Sequence, residues 1–262
     1  MANQTSSHSA AQVAALLSSA TVDEIPALVE RYRDDPRKQV QQACGRAVRR
    51  REREMAESKR LDDMYREMRA WGGDGVIVGV DEVGRGSVAG PLTVCAVCLP
   101  DTPHIMGLND SKQLTPSKRE VLATQIAEIA VAIGFCHVPA RRIDEIGMSL
   151  ALREAVAGAV RDTGLTPDCV LMDGNPLGAV PNERDVVHGD ARIACIAAAS
   201  IVAKVTRDAH MVELDALYPE YHFAASKGYA SPEHIAAIRE CGLCEEHRVS
   251  FCGNFLETPR LF

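Results

Sequence analysis

Apolar positions along this chain follow two rhythms, and the change falls near Trp71-Gly72-Gly73. Before that point they return at helical spacing. Residues 10–17 make a short apolar stretch. Thr21 and Glu24 have the spacing of a capping box for a second helix, which carries Ile25, Leu28, Val29 and Tyr32. Asp35-Pro36 reads as an N-cap and first helical position, opening a long helix that runs to about Arg69. Its apolar stripe is Val40, Cys44, Ala47, Val48, Met55, Leu61, Met64, Tyr65 and Met68. After Gly73, short apolar runs alternate with helical stretches. Residues 76–80 and 92–99 predict a hairpin pair of strands, 116–132 a helix, 134–138 a strand and 149–161 an amphipathic helix. A buried strand follows at 169–172, then a long helix of small residues at 192–217, stopped by Pro219. Ser231-Pro232-Glu233 opens a last helix. An antiparallel start followed by strand–helix alternation predicts an α/β domain, a mixed sheet flanked by helices. We expect an all-helical N-terminal extension over 1–72 and the mixed-sheet domain over 73–262.

Composition supports a sizeable core, with 46 % hydrophobic residues in 262. Nine cysteines, and an amino terminus without a basic and apolar signal, read as reduced thiols in a cytoplasmic protein. The most apolar run, 193–203, is interrupted by Ser200 and closed by Lys204, so it is too short to span a bilayer. The net charge of −7 argues against indiscriminate coating of nucleic acid, but the charge is uneven. Residues 31–69 carry 13 Lys and Arg against 8 Asp and Glu, which leaves the rest of the chain at −12. The run Arg49-Arg50-Arg51-Glu52-Arg53 reads first as a solvated helix face, with a nucleic-acid contact as the alternative.

The candidate chemistry lies in Val80-Asp81-Glu82-Val83-Gly84-Arg85-Gly86. Neighbours on a strand point to opposite faces, so Asp81 and Glu82 converge only where the strand is ending. Carboxylates there can hold a hard divalent cation. Gly84 and Gly86 admit close backbone approach, and Arg85 suits phosphate. A polar turn in which Arg85 pairs with Glu82 is the bland alternative. Asp173 ends the strand at 169–172, and Asp190 precedes the small-residue helix. An Asx turn and an N-cap account for each alone. Four carboxylates at element ends make the stronger case, because gathered acids repel unless a cation neutralises them.

These blocks resemble ribonuclease HII, the bacterial type 2 ribonuclease H. The opening motif is Asp81-Glu82-Val83-Gly84-Arg85-Gly86, the second block is Leu108-Asn109-Asp110-Ser111-Lys112-Gln113-Leu114, and the third is Met172-Asp173-Gly174. The fourth runs from Gly189-Asp190 through Ser200 and Lys204 to Arg207-Asp208. Lys227-Gly228-Tyr229 with His234, then His247-Arg248-Val249-Ser250-Phe251, close the order. One departure is His188, where many members have lysine. Asp190 and the helical extension favour this family over ribonuclease HIII. The resemblance implies a ribonuclease H-like sheet and a metal-dependent endonuclease. Such an enzyme hydrolyses RNA in RNA–DNA hybrids and cuts 5′ of single ribonucleotides in duplex DNA, leaving 3′-hydroxyl and 5′-phosphate ends. It implies that Asp81, Glu82, Asp173 and Asp190 hold two Mg²⁺ or Mn²⁺ ions. Gly84, Arg85 and Gly86 inherit the reading of the 2′-hydroxyl, and Tyr229 the test of the sugar on the 3′ side. Lys112, Lys204 and Lys227 become phosphate contacts, each otherwise an ordinary surface lysine. Asp208 stays outside the metal set. The expected partners are RNA–DNA hybrid and ribonucleotide-containing duplex, with no membrane, and the expected state is a monomer.

Cys241, Cys244, His247 and Cys252 superficially resemble a zinc knuckle, but the spacing is irregular and His247 belongs to another motif. Cys95 and Cys98, three apart on a strand, face opposite sides and read as core. Met64, Tyr65, Met68 and Trp71 read as the contact of the long helix with the sheet domain. Gly84 to Gly90 lacks the ending of a P-loop. Two rivals remain at this stage: another carboxylate-site nuclease, of exonuclease or integrase type, and a catalytically silent hybrid-binding module.

Overall fold

The computed structural model describes residues 8–256; the first seven residues, read above for a targeting signal, lie outside them. The chain forms two compact units that divide between Asp62 and Asp63, inside a long helix.

The first unit comprises α1 (Ala10–Ser19), α2 (Ile25–Arg31) and the leading part of α3 (Lys38–Gly72). Ser9 and Gln12 form a reciprocal capping box at the start of α1, which the sequence reading missed. At Thr21 only half of the expected box forms. The Glu24 carboxylate accepts the Thr21 N–H at 2.8 Å and its hydroxyl at 2.9 Å, but the threonine oxygen caps nothing in return. α3 opens three residues later than Asp35, because Asp35 spends its carboxylate on the Arg37 N–H at 3.0 Å and guanidinium at 2.9 Å. Val13, Leu17, Ile25, Tyr32, Val40 and Cys44 make the apolar centre. The basic run is not a plain solvated face. Arg50 donates to the Ser18 carbonyl at 2.7 Å and also to Ala20, and Arg51 donates to Val22 at 3.2 Å. These guanidiniums satisfy carbonyls at and beyond the C-terminus of α1.

The second unit is built on a five-stranded sheet in the order β3-β2-β1-β4-β5. The strands are β1 (Ile77–Val83), β2 (Leu92–Cys98), β3 (Ala132–Val138), β4 (Cys169–Asp173) and β5 (Glu183–Val186). β1–β2 and β2–β3 are antiparallel, and β1–β4 and β4–β5 are parallel, so the predicted mixed sheet stands. Helices follow as α4 (Pro116–Ile129), α5 (Ala140–Ile146), α6 (Met148–Asp162), α7 (Gly189–Arg192), α8 (Ala194–Leu217), α9 (Phe223–Ser226), α10 (Pro232–Cys241) and α11 (Val249–Leu256).

Strand alternation sorts the two faces. Val78, Val80, Leu92, Val94, Ala96, Cys98, Val170 and Met172 pack on Ala151, Leu152, Ala155, Val156 and Ala159 of α6. The odd-numbered residues of β1 and β4 face α8 instead. A Cβ at Gly79 would collide with the Cys195 carbonyl, so glycine here lets the start of α8 lie directly on β1. The close approach also puts Ser200, one turn on, over the end of β1. Cys95 and Cys98 are both buried, with only Cys98 in the α6-facing cluster. Met64, Tyr65 and Met68 are buried as well, and the Tyr65 ring stacks on His104 at 4.0 Å.

Candidate active site

β1 runs on through Asp81 and Glu82 to Val83, so the carboxylates sit inside the strand and not past its end. Asp81 pairs with Cys95 and Glu82 with Val94 on β2. Val80 pairs with Met172, so the next step along the parallel ladder sets Asp81 beside Asp173 on the face covered by α8. Asp173 accepts the Gly189 N–H at 2.7 Å, which ties the end of β4 to α7. Asp190 lies within that short helix and not at an N-cap, and it is buried. The expected helix start at 192 fails because Ile193 is extended and separates α7 from α8.

A cavity of about 350 Å³ opens at this end of the sheet. Asp81, Glu82, Asp173, Gly84, Arg85, Gly86, Lys112, Lys204 and Tyr229 line it. Asp190 reaches the group through Lys112, whose ammonium donates to Asp190 Oδ2 at 3.2 Å. Lys227 lines a neighbouring groove with Asp208 and Arg119, and its ammonium donates to the Asp208 carbonyl at 3.4 Å. Lys204 pairs with Asp208 at 2.7 Å. Ser111 and Ser200 also line the cavity, their hydroxyls 2.9 Å apart, and the Ser200 hydroxyl hydrogen-bonds Asp81. Neither serine was read as a site residue in the sequence, although both lie inside the quoted blocks and Ser200 interrupts the most apolar run.

Burial dominates the electrostatics. It pushes Asp81 up to about 8, helped by the charge of Glu82. Glu82 and Asp173 are raised for the same first reason, with Asp173 acting on Glu82 and Asp190 on Asp173. Arg85 eases Glu82 from 3.6 Å, but it is largely exposed. The Lys112 side chain is 78 % exposed, so its ion pair contributes little to stability.

The donor chemistry suits a hard divalent cation, since every acidic donor here is a carboxylate oxygen. Among the described residues, no three His, Cys, Asp or Glu side chains converge as a ready-made metal cage. A magnesium-type ion needs none, because it is commonly held by one or two carboxylates together with waters and substrate phosphate.

A family profile described as Ribonuclease HII matches residues 78–254, and one described as Ribonuclease HII N-terminal domain matches residues 9–71. Ribonuclease HII of Geobacillus thermodenitrificans is 45 % identical over 244 residues, covering 88 % of this chain and 94 % of the relative. That of Enterococcus faecalis is 41 % identical over 226 residues, 84 % of this chain and 87 % of the relative. Among solved structures, ribonuclease H2 from Pyrococcus horikoshii superposes with a TM-score of 0.59 at 26 % identity, covering 70 % of this chain and 99 % of that one.

Proposed function

The chain belongs to the ribonuclease HII family, and from that premise we propose how its cleft performs the reaction. It is a type 2 ribonuclease H, an endonuclease of RNA paired with DNA. Our finer reading is cleavage on the 5′ side of single ribonucleotides embedded in duplex DNA, giving 3′-hydroxyl and 5′-phosphate ends, and so a role in ribonucleotide removal. Asp81, Glu82, Asp173 and Asp190 would hold Mg²⁺ or Mn²⁺ ions, two in the active complex. Such ions, when bound, supply an activated water and neutralise charge at the scissile phosphate.

The protein's own residues set where the cut falls. Arg85 and Gly86 are exposed at the mouth of the cleft, and among the described residues their N–H groups take no partner. They are therefore available to a sugar hydroxyl. Tyr229 is 38 % exposed across the same cavity, where its ring can lie on the following deoxyribose. We read Lys112 and Lys204, which line the cavity, and Lys227, which lines a neighbouring groove, as contacts to phosphate. We take residues 1–72 as the helical extension and 73–262 as the catalytic domain. No described helix is long and apolar enough to cross a membrane, and we assign the protein to the cytoplasm as a monomer.

The observation that carries this reading is the shared cleft. Adjacent parallel strands bring Asp81 and Asp173 together within one cavity that the glycine–arginine–glycine turn and Tyr229 also line. The test is a labelled DNA duplex with one ribonucleotide, incubated with Mg²⁺ or Mn²⁺ beside an Asp81→Asn variant. Cleavage 5′ of the ribonucleotide, abolished in the variant, is expected. Equal cutting of an all-DNA duplex refutes the roles given to Gly84–Gly86 and Tyr229. Binding of hybrid without any cut would make the silent binding module the leading reading.

A further inference from the structure

Two guanidiniums, Arg207 and Arg248, are fully buried, and among the described residues neither has a carboxylate within ion-pair distance. Burial lowers both, Arg248 to about 10, and a guanidinium is not deprotonated in a protein at neutral pH. A buried charge without a counter-charge is costly unless its donors are all used. Here each guanidinium makes four hydrogen bonds, all but one of them to a single loop. Arg207 donates to the carbonyls of Pro91 at 2.9 Å and Ala89 at 3.1 Å, and to the Ser87 hydroxyl at 2.9 Å. That hydroxyl in turn donates a hydrogen bond to the Gly84 carbonyl at 2.9 Å. Arg248 takes the carbonyls of Arg85, Ser87 and Gly90. Carbonyls on both sides of Gly86 are thus drawn inward, which leaves the Arg85 and Gly86 N–H groups outward.

Arg207 also reaches a second segment. Its Nη1 donates to the Lys227 carbonyl at 2.8 Å, and its guanidinium carbon lies 5.7 Å from the centre of the Tyr229 ring. The Gly228 carbonyl accepts the N–H groups of Val88 at 2.8 Å and Ala89 at 3.1 Å, closing the two segments on each other. On the far side, His234 Nδ1 lies 2.8 Å from the Tyr229 carbonyl. A side chain at Gly84 would collide with Arg207 Nε, so the fit is tight from the turn's side too.

We propose that Arg207 is a positioning residue that fixes the distance between the glycine–arginine–glycine turn and Tyr229, and thereby sets selectivity for an RNA-to-DNA junction. This rests on the reading of those two segments as substrate contacts. A junction offers a ribose to the turn and a deoxyribose to Tyr229 at a fixed spacing, so it needs both segments in register. A uniform hybrid draws on the turn alone, because a second 2′-hydroxyl crowds the tyrosine ring. Loosening Arg207 therefore costs more on the junction than on the hybrid. A role confined to stability lowers both substrates in equal proportion.

The experiment compares kcat/KM on a DNA duplex carrying one ribonucleotide with kcat/KM on a uniform RNA–DNA hybrid. It uses the full chain and the variants Arg207→Lys, Ser87→Ala, Tyr229→Ala and Arg207→Lys/Tyr229→Ala. Arg207→Lys keeps the charge but loses the planar fork; the junction-to-hybrid ratio is expected to fall about ten-fold. With Tyr229 already removed, adding Arg207→Lys should change the ratio less than two-fold, because the two act as a unit. Ser87→Ala removes only the link from Arg207 to the Gly84 carbonyl and should lower the ratio about three-fold; it carries the test if Arg207→Lys does not fold. An unchanged ratio in the folded variants, with both substrates slowed alike, overturns the proposal. If Tyr229→Ala itself leaves the ratio unchanged, the reading of Tyr229 fails and the proposal falls with it. If Tyr229→Ala moves the ratio and the Arg207 and Ser87 variants do not, only the proposal falls.

Discussion

Asp81→Asn should abolish cleavage and at the same time make the metal-free protein more stable. Asp81 is 8 % exposed and stands beside Glu82 and Asp173, and its carboxyl is pushed from an ordinary 3.8 up to about 8, first by burial. The folded state therefore holds the proton more tightly than the unfolded chain does. Below about pH 4 both states are protonated and no penalty exists. As pH rises from 4 to 8 the unfolded chain ionises freely while the fold resists, so stability falls through that window and levels off above it. A shift of about four units sets a ceiling of roughly 5–6 kcal/mol. Water entry and local rearrangement relieve much of such a penalty, so about 1–3 kcal/mol is the expected gain for a neutral isostere. Asparagine keeps an oxygen for the Glu82 N–H, which Asp81 accepts at 2.8 Å. For a chain of this size that gain is a rise of roughly 3–9 °C in Tm. The assay is calorimetric melting in EDTA at pH 5, 6, 7 and 8, following the transition of the sheet unit. The Tm gap should widen with pH, and saturating Mg²⁺ should narrow it by stabilising the wild type more than the variant. A variant that melts no higher than wild type at pH 8, or a gap larger at pH 5 than at pH 8, refutes the reasoning.

Gly84→Ala places a side chain against Arg207 Nε at a backbone φ of +85°, so kcat/KM on a single-ribonucleotide duplex should fall at least about ten-fold. The sheet unit should still fold cooperatively by circular dichroism, since Gly84 lies past the end of β1. Glu183 gathers the N–H groups of Leu177, Gly178 and Ala179 within 2.9 Å; burial opposes its charge, but those bonds prevail and hold its pKa down. Glu183→Ala should cost about 1–3 kcal/mol in urea melts at pH 7. That difference should shrink as pH falls below the ordinary glutamate value, because the wild-type carboxylate then protonates and loses its advantage. Arg50→Ala frees the carbonyls at the end of α1 and should speed amide exchange of α1 several-fold in the full chain, leaving cleavage of a uniform hybrid unchanged within two-fold.

Most of the sheet and its long helices could be read from apolar rhythm, because the central strands are buried along most of their length and each long helix buries an apolar face. β1 and β4 open as apolar runs, β2 is apolar but for Thr93, and the first ten residues of α8 are apolar but for Ser200, with small residues where α8 lies on β1. β5 was missed because Glu183-Arg184-Asp185-Val186 has a single buried side chain and is held in place by pairing to β4. α5, α7, α9 and α11 are short, and segments of four to eight residues carry too few turns for a helical period to show. The predicted helix over 116–132 overran because Ala130 to Ala132 remain apolar while the chain turns from α4 into β3.

The candidate site divides along the same physical line. Its carboxylates were visible because acids in or next to apolar elements are rarely buried unless something pairs with them. Nothing local marks Arg207 as the centre of the turn's support. The loop groups it holds are 116 to 120 residues away in sequence, and those held by Arg248 are 158 to 163 away. The two halves of the site are built on opposite terms. The carboxylates are left under-neutralised in a buried setting, so a cation arriving with its phosphate ligands is favoured as much by the strain it relieves as by the bonds it makes. The carbonyls of the glycine–arginine–glycine loop are instead satisfied by two buried cations, which leaves the Arg85 and Gly86 N–H groups as the donors open to a substrate. A site proposed to accept ions and yet to reject the wrong sugar would gain from that division. On the proposed reading the acidic half would become complete when substrate and cation enter together, while the turn, held from behind by Arg207 and Arg248, would not relax to accommodate a chain that lacks the hydroxyl.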